Sequence, residues 1–206
     1  MPETSSRANT TSDLPLFPLQ TVLLPDGLLA LRVFEPRYLD MIARCLRGAN
    51  RFGVVAIREG AEVGDATTYD HGTSAEIVDW HQQEAGLLGI LTVGREPFRL
   101  LARRREPDGL YVGSVEWLES TPAQKLGLEH EPLAALLKRL IEPLALYRGA
   151  ATSFDDAAWV GGRLVELLPL PLELKQSLLE TRDPSARLDR LAAALESHED
   201  GSRAGS

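Results

Sequence analysis

The sequence predicts an α+β chain, a β-rich unit followed by helices. From Asp13 to Ser120, short apolar runs rich in β-branched residues are separated by Gly and Pro turns, which is the pattern of successive strands. After Thr121 the apolar period changes from two to near 3.6, which is the pattern of amphipathic helices. A single helical stripe, Tyr38, Leu39, Ile42, Cys45 and Leu46, interrupts the strands and ends at Gly48.

The elements follow in order. Residues 1–12 lack apolar periodicity and are expected to be a disordered tail. Leu14 to Leu19 is apolar but holds Pro15 and Pro18, so it is expected to be an edge or entering strand, since proline has no N–H for a ladder. Pro25-Asp26-Gly27 reads as a turn, with strands after it at Leu28–Phe34 and Phe52–Ile57. Further strands are expected at Ser74–Trp80, Leu87–Val93 and Phe98–Leu101. Tyr111 to Trp117 alternates best, with Tyr111, Gly113, Val115 and Trp117 on one face. Pro36 suits the first turn of the inserted helix.

The β-rich unit is therefore placed at 13–120 and a helical unit at 121–197. In the latter, Leu133, Leu136, Leu137, Leu140, Ile141 and Leu144 form an apolar face, and Pro143 ends or kinks that helix. Asp155–Leu168 predicts a second helix, Pro171 to Glu180 a third, and Asp183-Pro184 the N-cap and first residue of a fourth. Residues 198–206 are expected to be a second disordered tail.

Composition excludes several function classes. Hydrophobic residues make up 44% of the 206 and charged residues 25%, so the chain is globular in type. No stretch approaches the roughly 18 uncharged apolar residues of a membrane span, and Met1–Ser12 has no secretory apolar run. The one cysteine, Cys45, sits in the helical stripe and reads as a buried thiol. A cytoplasmic location is the expectation. The net charge is −8, with 12 Lys+Arg against 17 Asp+Glu in residues 1–120 and 10 against 13 in 121–206. Neither part is the basic surface that phosphate-backbone binding needs, which counts against nucleic acid as the main partner.

Motifs for chemistry are missing. The three lysines, Lys125, Lys138 and Lys175, follow Gln, Leu and Leu, so no Gly-Lys phosphate loop exists. There is no Gly-x-Ser-x-Gly elbow and no Gly-x-Gly-x-x-Gly fingerprint. His71, His81, His130 and His198 lack metal spacing, and His81 with Glu84 falls in a strand and turn. A non-enzyme with no cofactor and no metal is expected. An enzyme built on His71 and scattered carboxylates is the weakest of the readings kept open.

Three features invite a binding role. Arg103-Arg104-Arg105 before Glu106-Pro-Asp-Gly109 reads first as a solvated hairpin end. Trp80, Trp117 and Trp159 are core residues first and binding anchors second. Phe34-Glu35-Pro36-Arg37-Tyr38 is a strand-to-helix corner where Glu35 and Arg37 satisfy each other or nearby backbone; its sharper reading is a partner-binding edge.

At that corner the sequence resembles the N-terminal, substrate-binding domain of Lon proteases, and more closely the bacterial proteins that consist only of that domain. The matching segments are Leu14-Pro-Leu-Phe-Pro-Leu19, Val22-Leu-Leu-Pro25, Phe34-Glu-Pro-Arg-Tyr-Leu39, Phe52-Gly-Val-Val55 with Arg58-Glu-Gly60, Gly72-Thr73, Phe98-Arg99 and Val115-Glu-Trp117. Leu174-Lys-Gln176, Leu178-Leu-Glu180 and Arg187-Leu188 are similar to the family's closing helices. Asp26 and Glu84-Ala-Gly86 depart from the family's turns. The resemblance implies a PUA-like β pseudo-barrel with one inserted helix, then a C-terminal helical bundle. It also implies recognition of unfolded or extended polypeptide without the ATPase and protease domains. Arg37, Tyr38, Trp80 and Trp117 are the residues chosen for that contact. The alternative is RNA binding, as in other PUA-like barrels, through a cluster of Arg95, Arg99, Arg103, Arg104 and Arg105.

Overall fold

The computed structural model describes residues 11–62, 66–83 and 87–203. Its strands are β1 (Thr11–Leu19), β2 (Leu28–Val33), β3 (Arg51–Gly60), β4 (Ala66–Gln82), β5 (Leu88–Arg105) and β6 (Tyr111–Trp117). Its helices are α1 (Pro36–Arg47), α2 (Glu131–Ile141), α3 (Ala157–Leu167), α4 (Leu172–Glu180) and α5 (Pro184–Arg203). The six strands form one mixed sheet in the order β2-β5-β4-β3-β1-β6, so the α+β class holds. Because β5 also pairs with β6, five strands close a hydrogen-bonded circuit and β2 hangs on β5 alone.

Three cores follow from the apolar pattern. Leu14, Leu16, Val55, Phe98, Leu100, Tyr111 and Val115 meet between the strands of the circuit. Close approach there needs two glycines. A Cβ on Gly113 would lie 2.4 Å from Leu100 Cδ1, and one on Gly53 would lie 2.8 Å from Leu14 Cδ2. A second core lies under α1, whose Tyr38, Met41, Ile42 and Cys45 recur at helical spacing and pack on Phe17, Phe52, Val54 and Ile77. The Cys45 thiol donates to the Arg51 carbonyl at 3.2 Å, and burial pushes its pKa up to about 11. The third core joins the helices to the sheet, since Val22, Leu24 and Ala56 pack among Leu137, Val160, Leu164, Leu178 and Leu188.

One buried ion pair fastens that joint. Arg163 of α3 is 0% exposed and bonds Glu166 through Nε at 2.8 Å and the Pro25 carbonyl through Nη2 at 2.9 Å. Glu166 Oε1 accepts the Leu24 N–H at 2.7 Å, so two helical side chains complete the backbone of the β1–β2 loop.

Some expectations need correction. β1 is not an edge strand: it lies between β3 and β6. The prolines are tolerated because the strand changes partners at Leu16. β6 pairs with Thr11 to Leu16 and β3 with Leu16 to Leu19, so Pro15 and Pro18 each face a neighbour on one side only. The two strands expected at 87–93 and 98–101 are one, β5, because Gly94 and Pro97 fall at a bulge that the ladder spans (Ala75↔Gly94, Thr73↔Pro97). At the C-terminus α5 runs to Arg203 where a tail was expected from 198. At the N-terminus β1 already begins at Thr11; residues 1–10 and 204–206 lie outside the described residues. The last helix starts as its capping signal predicts, Asp183 Oδ1 accepting from Ser185 N at 2.9 Å, whereas α3, expected from Asp155, starts at Ala157 behind Asp156, whose Oδ1 accepts from Ala158 N at 2.9 Å.

Candidate functional site

The outer side of β2 is an open sheet edge. β2 ends the strand order, and among the described residues its backbone bonds run to β5 alone. Gly94 N donates to Gly27 O at 2.8 Å, which sets the alternation. Counting in twos, Leu29, Leu31 and Val33 direct their backbone groups to β5, while Leu28, Ala30 and Arg32 turn theirs outward. Leu28 also packs against the helical core, so the open stretch begins after it. Exposed edges are usually blunted by charges, proline or bulges. Here Arg32 is the one charge in Leu28–Val33, there is no proline, and the register is unbroken.

The corner after β2 fixes what stands at the end of that edge. Phe34 projects outward at 61% exposure, beside a cavity of about 90 Å³ lined by Leu31, Glu35, Tyr38 and Glu62. Pro36 starts α1, and the Glu35 carbonyl receives the N–H groups of Tyr38 and Leu39 at 3.0 Å. Arg37 then ties three segments together. Its guanidinium pairs with Glu35 at 2.8 Å, donates to Gly109 O at 3.2 Å and Glu62 O at 3.3 Å, and lies 4.7 Å over the Tyr38 ring. Tyr38 is buried and stacks on Phe17 at 4.1 Å. Burial pushes the Tyr38 phenol up to about 12, against the opposing pull of Arg37.

Of the residues chosen from sequence, Arg37 and Tyr38 thus build the corner from within, and the exposed ring beside them belongs to Phe34. Trp117 is half-buried, bonding Ser12 Oγ at 2.9 Å through Nε1 and meeting Phe98 edge-on. Trp159 is buried in the helical core. Trp80 is the open one at 54% exposure. It sits across from Ile90, which sits across from Leu31, so Leu31, Ile90 and Trp80 form one row reaching from β2 to β4. The sequence marked Phe34 within the corner string but gave no reason to choose it over Arg37 and Tyr38, and a short apolar run such as Leu28 to Phe34 does not say that it ends a sheet.

The arginines are distributed rather than gathered. Arg95 pairs with Glu76, Arg99 with Glu116, and Arg104 with Asp13 and Glu106. Arg103 donates to Ala66 O and lies with Arg105 over the Tyr111 ring. His71 faces Glu180 at 3.6 Å, and Gln176 donates to the same carboxylate. Glu84 lies outside the described residues. Among the described residues no group of three or more His, Cys, Asp or Glu is placed to hold a metal, and no helix is long and apolar enough to cross a membrane.

Comparison with known proteins adds the following. Residues 13–197 match the family model described as the ATP-dependent protease La (Lon) substrate-binding domain. Lon protease 2 of Myxococcus xanthus is 30% identical over 187 residues, covering 85% of this chain and 22% of that protein. Lon protease of Escherichia coli K12 is 26% identical over 97% of this chain and 26% of its own length. The chain therefore spans about a quarter of the Lon proteases it matches. Among solved structures, a Lon N-terminal domain protein from Xanthomonas campestris is 40% identical with a TM-score of 0.73, covering 88% of this chain and 98% of that one. The N-terminal domain of Mycobacterium avium complex Lon protease, 18% identical with a TM-score of 0.58, shares the fold.

Proposed function

Since the chain belongs to the Lon substrate-binding domain family, we propose that it binds extended polypeptide by strand addition to β2, without catalysis. The observation that carries this reading is the β2 edge, open beyond Leu28, with Phe34 at its end. An incoming segment would take main-chain bonds from Ala30 and Arg32, and its alternate side chains would meet Phe34 and the small cavity beside it. Trp80, two strands away and thus roughly 10 Å from β2 across the buried Ile90, is a second exposed aromatic on the sheet. In this reading the closed strand circuit is the pseudo-barrel that presents the edge, and the helices from α2 onward are the bundle that braces it. The non-catalytic part rests on the missing nucleotide-binding and nucleophile motifs.

The test is fluorescence anisotropy of a labelled, permanently unfolded polypeptide titrated with the protein, in low and moderate salt and against competing RNA. Ala30→Pro removes one outward N–H while leaving the β5 ladder intact, and is expected to weaken binding about tenfold or more, as is Phe34→Ala. Binding that is unchanged in Ala30→Pro refutes strand addition. Binding that RNA abolishes and salt sharply weakens points to the nucleic-acid alternative.

A further inference from the structure

The ends of β1 and β2 meet around the cavity of about 90 Å³ beside Phe34. Each has a strand on one side only: β6 leaves β1 at Leu16, so Phe17 to Leu19 pair with β3 alone, and β2 pairs with β5 alone. β1 contributes Phe17 and Leu19 to the wall, β2 contributes Leu31 and Val33, and α1 contributes Tyr38. All five belong to the core under α1 or pack against it. The cavity is therefore a recess of that core, and it reaches the surface at the exposed Phe34 and Glu62.

The pleat decides where an added side chain goes. Leu29, Leu31 and Val33 turn inward onto the core, while Ala30 and Arg32 are exposed on the other face. In a strand added to β2, a residue opposite Leu31 or Val33 points the same way as they do, toward the recess. Its two neighbours along the chain point out, on the side of Arg32 and Phe34. One side chain of the added segment is thus delivered to the recess.

Volume and walls then decide which side chain fits. An apolar cavity of about 150 Å³ holds benzene. A recess of about 90 Å³ takes the branched end of Val, Ile or Leu and has no room for an aromatic ring. The walls are hydrocarbon and aromatic, so a charge entering them would lose water without gaining a partner. The rim carries two carboxylates that are already engaged, Glu35 by Arg37 at 2.8 Å and Glu62 by the Gln20 N–H at 2.9 Å. Their charge turns acidic side chains away.

We propose that this recess sets the specificity of the β2 edge: it accepts one branched aliphatic side chain of an extended segment and rejects aromatic and charged ones. The inference rests on strand addition to β2 and adds the class of segment taken up. Aromatic residues of such a segment fall instead on its outward face, beside Phe34.

The experiment is an anisotropy titration with a labelled 15-residue Ser/Thr peptide holding one central guest residue, Ala, Val, Leu, Phe, Glu or Lys. Each buried CH₂ is worth about a fourfold factor in affinity, so Leu is expected to bind at least about tenfold more tightly than Ala. Val falls between them, and Phe, Glu and Lys several-fold below Leu. Two variants then resize the recess without touching the β2 backbone. Leu31→Ala enlarges it and is expected to move the optimum from Leu to Phe, whereas Leu31→Phe fills it and flattens the series. Leu31 is half-buried, so both are expected to fold, which circular dichroism checks; the series on the unaltered protein stands without them. Affinity that rises through Leu to Phe, a Lys or Glu guest equal to Leu, a flat series, or no binding of the Leu peptide overturns the inference. If the unfolded polypeptide still binds and Ala30→Pro weakens it, the edge stands and only the recess falls. If Ala30→Pro has no effect, strand addition falls and the recess with it.

Discussion

Replacing Glu166 tests whether one ion pair holds the helices to the sheet. Glu166→Ala leaves Arg163, at 0% exposure, with the Pro25 carbonyl as its remaining acceptor, and it orphans the Leu24 N–H. Breaking a buried pair by removing one partner costs about 3–5 kcal/mol, and an unsatisfied buried N–H about 1–3 kcal/mol; these overlap, so the net expectation is about 4 kcal/mol. Glu166→Gln keeps an acceptor for Leu24 N and removes a charge that burial already disfavours, so it is expected to cost much less than Glu166→Ala. Burial raises the Glu166 pKa above its ordinary 4.5, with Arg163, the Leu24 N–H and Lys175 opposing it. A raised acid pKa contributes stability that is complete below 4.5 and is lost as pH rises through the folded value, so Glu166 does not drive acid unfolding. The assay is urea unfolding followed by tryptophan fluorescence and far-ultraviolet circular dichroism. Arg163→Met with Glu166→Leu removes both charges, and the pair is expected to cost less than Glu166→Leu alone. A Glu166→Ala variant within 1 kcal/mol of the parent, on the scale of a solvated surface pair, would refute the reasoning.

Two further predictions concern burial and close approach. Burial pushes both Tyr38 and Tyr147 up to about 12 from 10, so the stability each contributes is complete below pH 10 and lost as pH rises through 12. Alkaline titration should show their share of the phenolate absorbance appearing together with loss of circular dichroism, and Tyr38→Phe should remove part of it; ionisation with the fold intact is the contrary result. A Cβ on Gly94 would lie 2.1 Å from the Leu24 carbonyl oxygen, whereas one on Gly113 meets the ends of Leu100 and Leu16 side chains. Gly94→Ala is therefore expected to destabilise more than Gly113→Ala, for which about 1–3 kcal/mol is the scale, and equal urea midpoints would contradict that order.

The parts of this fold legible in the sequence were those fixed by neighbours along the chain. Pro36 and Gly48 bracket α1, Asp183 caps α5, and Tyr111, Gly113 and Val115 share an inward face, because period and capping act over a few residues. What was not legible depends on which strand lies beside which. Pro15 and Pro18 look like edge residues until β1 is seen to exchange β6 for β3 at Leu16. Leu28 to Val33 is a short apolar strand like the others until it is seen to end the sheet. The same distinction governs the candidate sites. The Phe34-Glu35-Pro36-Arg37-Tyr38 string drew attention to that corner, where Arg37 and Tyr38 are structural and the exposed groups are the neighbouring Phe34 ring and the outward β2 backbone. Arg187 stood in the sequence only within Arg187-Leu188, a segment similar to the family's closing helices; its burial arises from the packing of α5 on α3 and α4, over distances that no sequence period encodes. A polypeptide-binding edge is thus hardest to read from side chains, because its main recognition groups are backbone N–H and C=O groups that every residue possesses. Topology, rather than residue type, decides which of them remain open.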